Sequence, residues 1–230
     1  MTRDAAGLPE IEAVLFDIDG TLISTGGASD RAWRRAFEEL HGLTVDVAEY
    51  TDRGVTDPEV GLISFRGALG REPSRPEMAR LMALRLYHLP DEVSSSAGYR
   101  VMPGVEELLR RLTHEGRLLG LITGNVEAAA HIKLARGNLN HFFSFGGYGS
   151  DARRRVEVAS RALERAELVF GGPLEHDACI AIGDTPLDIA AAHGAGIRVT
   201  GVATGDYGTE ELQKAGADYA VASLEDGLPF

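Results

Sequence analysis

Four aspartates in this sequence stand where apolar runs stop abruptly. Asp17 closes EAVLFD (12–17), and Asp19 follows two residues on, within FDIDGTL. Asp184 follows ACIAIG (178–183), and Asp188 comes one helical turn later, within GDTPLD. Residues two apart on extended chain start out on the same side, which brings Asp17 and Asp19 together. Two carboxylates about 4 Å apart repel by about 4 kcal/mol at an effective dielectric of about 20. A cluster of three or four therefore either retains protons or binds a cation. All-oxygen donors suit a hard cation, and a few carboxylates completed by a phosphate suit Mg²⁺. A single aspartate at a strand end is as readily a helix N-cap or a loop residue, and DG is a common turn dipeptide. The weight lies in the joint pattern: FDIDGTL, then LITGN with Thr123 closing LLGLIT (118–123), then GDTPLD, each at the end of an apolar run.

Positioning those ends requires a sheet. The runs 12–17, 118–123, 178–183 and 197–203 are continuously apolar, with a weaker one at 218–222 and another near 143–149. Strands that are apolar throughout, rather than alternating, are buried on both faces, as in parallel sheets. Helical patterns separate them. PGVEELLRRLTHEG has Pro103 at its start, Val105, Leu108, Leu109 and Leu112 on one face, and Gly116 as its stop. The stretches 126–137, 154–168, 185–193 and 209–215 also read as helices. The expected fold class is α/β, a doubly wound parallel sheet core (Rossmann-like), in which ligands bind beyond the carboxyl ends of the strands.

Residues 24–98 interrupt that alternation. They carry three helical patterns and no strong strand: SDRAWRRAFEELHG with a stripe of Trp33, Ala36, Phe37 and Leu40, a second after Asp57-Pro58, and PSRPEMARLMALRLYHL with Pro76 near its first turn. Gly26-Gly27 and SSSAG (94–98) look like linkers. The organisation expected is a core of 1–23 and 99–230 with an inserted small helical cap domain, 24–98. The Trp33 and Phe37 stripe reads as cap core, although a cap's inner face also lines a pocket. Asp57 reads as an N-cap with Pro58 at the first helical position. ATGDYG (203–208) reads as a loop near the site without chemistry of its own.

FDIDGTL, LITGN and GDTPLD resemble the first, second and fourth motifs of the haloacid dehalogenase superfamily, and 24–98 is similar to its helical cap. The likeness covers essentially the whole chain, and its capped phosphoglycolate phosphatase-like hydrolases are the subgroup most resembled. The resemblance implies a phosphatase in which Asp17 attacks phosphorus and becomes an aspartyl-phosphate. Asp19 would protonate the leaving oxygen and then activate water. Mg²⁺ would be held by Asp17, the Asp19 backbone carbonyl and Asp184, with Asp188 close by. Thr123 and the backbone around Gly20, Gly124 and Asn125 would hold phosphate oxygens.

One motif departs from the family pattern. A lysine commonly stands between the second and fourth motifs, but here the only lysine of that interval, Lys133, falls in the helix after LITGN, too close to that motif. The expected zone reads YGSDARRRVEVASRALERA, so the role is placed on Arg155, with Arg153 or Arg154 as alternatives. A guanidinium can neutralise phosphate bidentately. Such an arginine run is otherwise a solvated face. Within RGVTDPEVG, Arg53 is the candidate to reach a carboxylate on a small phosphorylated acid, phosphoglycolate being the first to consider.

Composition narrows the partners. The 230 residues are 44% hydrophobic and 25% charged, an ordinary globular balance. A net charge of −12 disfavours nucleic acid and acidic membranes, so the expected partner is a small phosphorylated metabolite. MTRDAAGLPEIEA lacks a leader-like apolar run, nothing reaches membrane-spanning length, and the lone Cys179 reads as a buried small hydrophobe, together indicating a cytoplasmic protein. The seven histidines show no zinc spacing and read as surface or structural. Asp19 argues against a dehalogenase. The absence of lysine from 24–98 argues against a phosphonatase. A sugar-phosphate mutase of the same superfamily and a non-catalytic binding protein on the same scaffold remain as alternatives.

Overall fold

The computed structural model describes residues 10–228. The leader-free reading of the first residues therefore falls largely outside the described part. Six strands form one parallel sheet: β1 (Ala13–Phe16), β4 (Leu118–Ile122), β5 (Phe145–Gly147), β6 (Cys179–Gly183), β7 (Arg198–Val202) and β8 (Tyr219–Val221), in the order β5-β4-β1-β6-β7-β8. The first strand is central, with Phe16 opposite Leu121 on one side and Ile182 on the other. All four of its residues are buried because both faces are covered. Val14 and Phe16 pack with α4 (Val105–His114) and α5 (Glu127–Arg136). Ala13 and Leu15 pack with α6 (Arg155–Phe170), α7 (Pro186–Gly194) and α8 (Thr209–Lys214). The fold is the α/β doubly wound parallel sheet expected from the continuous apolar runs.

The switch point lies at β1, whose neighbours β4 and β6 lead to helices on opposite faces. Such a reversal opens a crevice at the carboxyl ends, where Asp17, Thr123 and Asp184 follow their strands.

Between β2 (Ile23–Ser24) and β3 (Arg100–Val101), which pair antiparallel, the chain forms α1 (Ala28–His41), α2 (Asp57–Leu69) and α3 (Arg75–Ser95). These helices have their own apolar cluster, in which Trp33, Phe37, Phe65 and Leu81 meet. A second cluster joins them to the core, with Ala28, Ala32, Leu89 and Val93 against Val126 and Ala129. The connections run side by side at Gly26 and Gly98; a Cβ at Gly26 would collide with the Gly98 backbone.

Three local expectations need correction. Thr56, not Asp57, is the N-cap of α2; Asp57 is its first helical residue and Pro58 its second. The SSSAG segment is not all linker, because α3 continues through Pro90 to Ser95, where the Ser94 and Ser95 hydroxyls donate to the Asp91 carbonyl. α4 begins at Val105 behind Gly104, two residues past Pro103.

Candidate active site

The carboxyl ends of the sheet and the inner side of the helical insertion enclose a cavity of about 360 Å³. Its floor is acidic and buried. Asp17, Asp184 and Asp188 each offer an oxygen to a cluster within which these atoms lie within 4.8 Å of one another. Strand register brings Asp17 and Asp184 together: the Asp17 amide donates to Ile182 O at 2.9 Å, which keeps the chain in the sheet just past β1. Asp188 is positioned by the start of α7, where its Oδ2 accepts from the Thr185 amide at 3.1 Å and hydroxyl at 2.7 Å, and the Thr185 hydroxyl accepts from the Asp188 amide. The Thr21 hydroxyl donates to Asp184 Oδ1 at 3.0 Å.

Two glycines make room for this cluster. A Cβ at Gly20, whose φ is +85°, or at Gly205 would collide with the Asp184 carboxylate. The 203–208 loop thus walls the site: the Thr204 hydroxyl donates to Gly20 O at 2.6 Å, and Asp206 pairs with Arg53. The loop's place beside the site agrees with the reading of ATGDYG as a nearby loop.

Of the three candidate arginines, only Arg155 turns inward. It is buried at the start of α6, and its Nη2 stands 3.3 Å from Asp17 Oδ1 and hydrogen-bonds Asp188 Oδ1. Arg153 and Arg154 have side chains 71% and 76% exposed, the former near Glu59 and the latter near Glu157. Only Arg155 belongs to α6; Arg154 is its extended N-cap and Arg153 precedes it outside the helix, so the three side chains leave the chain in different directions.

Burial raises the Asp17 carboxyl well above its ordinary range, and Asp188 adds to this while Arg155 opposes it. Burial likewise raises Asp184, reinforced by Asp188 and Asp17. If all three carboxylates ionise, Arg155 leaves two negative charges uncompensated in a low-dielectric pocket. A divalent cation with oxygen preference answers that deficit, so the donor set fits Mg²⁺.

The second half of the site surrounds Asp19. Burial alone would raise its carboxyl, but the Lys133 ammonium and hydrogen bonds from Asn125 and Lys133 outweigh that and hold it below its usual range. Asn125 Nδ2 donates to Asp19 Oδ2 at 2.8 Å and to Thr123 Oγ1 at 2.9 Å. Lys133 Nζ lies 2.6 Å from Asp19 Oδ2 and 2.6 Å from Asn125 Oδ1. Its position in the sequence argued it out of the usual lysine role, and that contact with Asp17 is made by Arg155; Lys133 instead reaches Asp19. The readable signal was its spacing, three residues after Ala130 and one before Leu134 on the face that α5 buries.

Asp57 ties the insertion to the LITGN loop. Its amide donates to Gly124 O at 2.8 Å, its Oδ2 accepts from the Val126 amide at 2.8 Å, and its Oδ1 accepts from the buried Arg85 at 2.9 Å. Arg53 lines the cavity rim, paired through Nε with Asp206 at 2.8 Å.

Residues 11–196 match the family model for haloacid dehalogenase-like hydrolases. A phosphoglycolate phosphatase of Rhodospirillum rubrum is 31% identical over 233 residues, covering 95% of this chain and 91% of its own. The crystal structure of a predicted phosphoglycolate phosphatase from Haemophilus somnus superposes with a TM-score of 0.75 at 19% identity, over 96% of this chain and 97% of the other. β-Phosphoglucomutase from Clostridium difficile gives 0.73 at 20% identity, over 95% and 94%; at such identities these two likenesses show the fold alone. No helix among the described residues is long and apolar enough to cross a membrane. The chain belongs to the haloacid dehalogenase-like hydrolases, in the branch similar to phosphoglycolate phosphatases, and is a phosphatase.

Proposed function

We infer that the protein hydrolyses a small organic phosphate monoester through a phosphorylated Asp17, with Mg²⁺ as cofactor. The observation that carries this reading is the convergence of Asp17, Asp184, Asp188 and Arg155 on one buried floor, with Asp19 beside it. Asp17 attacks phosphorus as the bond to the ester oxygen breaks, and Asp19 supplies that oxygen with a proton, a contribution typically worth 10²–10⁴-fold. Asp19 then accepts a proton from the water that attacks the acyl phosphate, which releases phosphate and restores the Asp17 carboxylate.

Asp17, the Asp19 backbone carbonyl and Asp184 would hold Mg²⁺, with Asp188 in support. The bound ion would supply charge neutralisation at the phosphoryl oxygens. Arg155, which contacts Asp17 and Asp188, would help neutralise the nucleophile and the phosphate. The Thr123 hydroxyl and the backbone of Gly20, Gly124 and Asn125 hold phosphate oxygens. Residues 24–98 act as the cap, and a roof of that kind admits a small metabolite while excluding a folded phosphoprotein. Phosphoglycolate heads the substrate class, supported by the name of the Rhodospirillum relative and by Arg53 at the rim. A cytoplasmic setting suits a chain whose lone Cys179 is buried and free.

Asp30 favours a second reading. Its carboxylate lines the roof with no hydrogen-bond donor or salt bridge among the described residues, and it suits a hydroxyl-rich ester such as a sugar phosphate. Such a substrate could be hydrolysed, or isomerised as by a mutase. One experiment separates these: phosphate release from phosphoglycolate, sugar phosphates, nucleotides and a phosphopeptide, with chelator and then added Mg²⁺. Release that stops in chelator, returns with Mg²⁺ and disappears in Asp17→Asn is expected. Full turnover in chelator refutes the metal. Isomerised sugar phosphate without net release points to the mutase.

A further inference from the structure

The resemblance to the family leads one to expect a single cation between the second and fourth motifs. This site contains two, on different carboxylates. Arg155 reaches Asp17 and Asp188, whereas Lys133 reaches Asp19 and Asn125. These are separate attachments, from the start of α6 and from the second turn of α5.

We propose that Lys133 is a positioning residue for Asp19, pinning one of its oxygens so that the other is presented to the leaving group and then to water. This rests on the reading of Asp19 as acid and base. Lys133 Nζ and Asn125 Nδ2 both converge on Oδ2, at 2.6 and 2.8 Å. Oδ1 accepts no hydrogen bond among the described residues, and the Asp19 side chain stays about one-third exposed toward the cavity. Asn125 is itself fixed, since it donates to Thr123 Oγ1 and accepts from Lys133. The three side chains form a closed set in which no polar atom of Asn125 is left to turn.

A lysine 2% exposed is costly unless its charge is met at short range. Lys133 fills that condition with Asp19 and the Asn125 carbonyl. It lies among Ala129, Ala130 and Leu134 on the buried face of α5, where an apolar residue would pack without that cost. Its long stem carries the charge to the end of β1, a distance that a shorter cation from α5 would not span.

The test compares two esters by kcat/KM, which reports the steps up to phosphoryl transfer. A p-nitrophenolate leaves as a stable anion and needs little protonation, while an alkyl leaving group such as that of phosphoglycolate needs a proton as the P–O bond breaks. Lys133→Met should lower kcat/KM for the alkyl ester by about 10²-fold or more, within the usual range for a misdirected acid, and for p-nitrophenyl phosphate by less than about tenfold. Lys133→Arg should recover part of the alkyl rate. If Lys133→Met does not melt cooperatively, the same ratio is taken on Lys133→Gln, with the same outcome expected. An equal loss on both esters, or none, overturns the clamp while leaving the phosphatase intact. Wild-type protein inactive on both overturns the acid–base reading and the clamp with it.

Discussion

On the floor of the cavity, Arg155 is 8% exposed and engages Asp17 and Asp188; at the rim, Arg53 is 66% exposed and pairs with Asp206, itself 67% exposed. Both are cation–carboxylate contacts, yet they differ in kind. A buried pair works in a low local dielectric, so removing one partner strands the other charge and costs several kcal/mol. An exposed pair is screened by water and salt, and is worth about 0–1 kcal/mol. Strand register and helix starts hold the floor in one arrangement. The rim is held by a bridge that water reaches on both sides and that therefore contributes little. The buried arginine is therefore fixed where the core is rigid, and the exposed one lies where residues 28–95 meet it.

The sharpest way to break that contrast is Arg155→Ala. It removes the floor's guanidinium and leaves Asp17 and Asp188 without their counter-charge. Loss of one electrostatic contributor of this sort costs about 3 kcal/mol, roughly a 10²-fold fall in kcat/KM. Arg155→Lys should restore part of it, while Arg153→Ala and Arg154→Ala should stay near wild type, since both side chains face solvent. Steady-state assays on the same ester decide it. Equal losses in all three variants would mean that burial does not separate these arginines.

A medium-sized effect concerns the floor alone. Asp17 and Asp184 bind protons more tightly in the folded chain than in the unfolded one, because burial and mutual repulsion raise them, to about 7 and about 8, from 3.8. The folded metal-free protein thus holds extra protons between those values, and its stability falls as pH rises through that window. At the acid end the opposite sign applies: Asp151, held below its usual range through the Arg165 contacts that outweigh its burial, loses that contribution once protonated. Metal-free protein should melt highest at about pH 5 and several degrees lower at about pH 8. Added Mg²⁺ should raise Tm most at the alkaline end and flatten the slope. A Tm that is independent of Mg²⁺ at both pH values would remove the cation from the floor.

The same contrast explains what could be read in the sequence. Asp17, Thr123 and Asp184 were legible because each ends a continuous apolar run, and a buried parallel strand must stop where charge begins. Of Lys133 only its place on the buried face of α5 was legible; that its ammonium reaches a strand end depends on the tilt and register of the helix on the sheet, which no local pattern encodes. Asp57 was legible as a helix-start residue but not as the link to Gly124, Val126 and Arg85, whose partners lie 28 to 69 positions away. The helical pattern read as ending in RLYHL extends further in the structure: Pro90 withholds one hydrogen bond, and packing of Leu89 and Val93 against the core supports α3 past it.

Arg53→Ala is the smallest change and tests the rim. Since its pair with Asp206 is open to water, the melting temperature should move by less than about 2 °C, the equivalent of under about 0.5 kcal/mol. The kinetic consequence depends on the ester. With phosphoglycolate, whose carboxylate a guanidinium can grip through two parallel hydrogen bonds, KM should rise about tenfold or more while kcat stays within about threefold, because that contact is made equally before and during phosphoryl transfer. With an uncharged sugar phosphate neither constant should move. Arg100, on β3 at the same cavity, provides the control: if Arg100→Ala raises KM for phosphoglycolate and Arg53→Ala does not, the carboxylate lies toward the hinge strands rather than the α2 approach. Equal changes for the acid and the sugar would show that Arg53 shapes the rim without reading the substrate's charge, and would shift the weight to Asp30 and a hydroxyl-bearing ester.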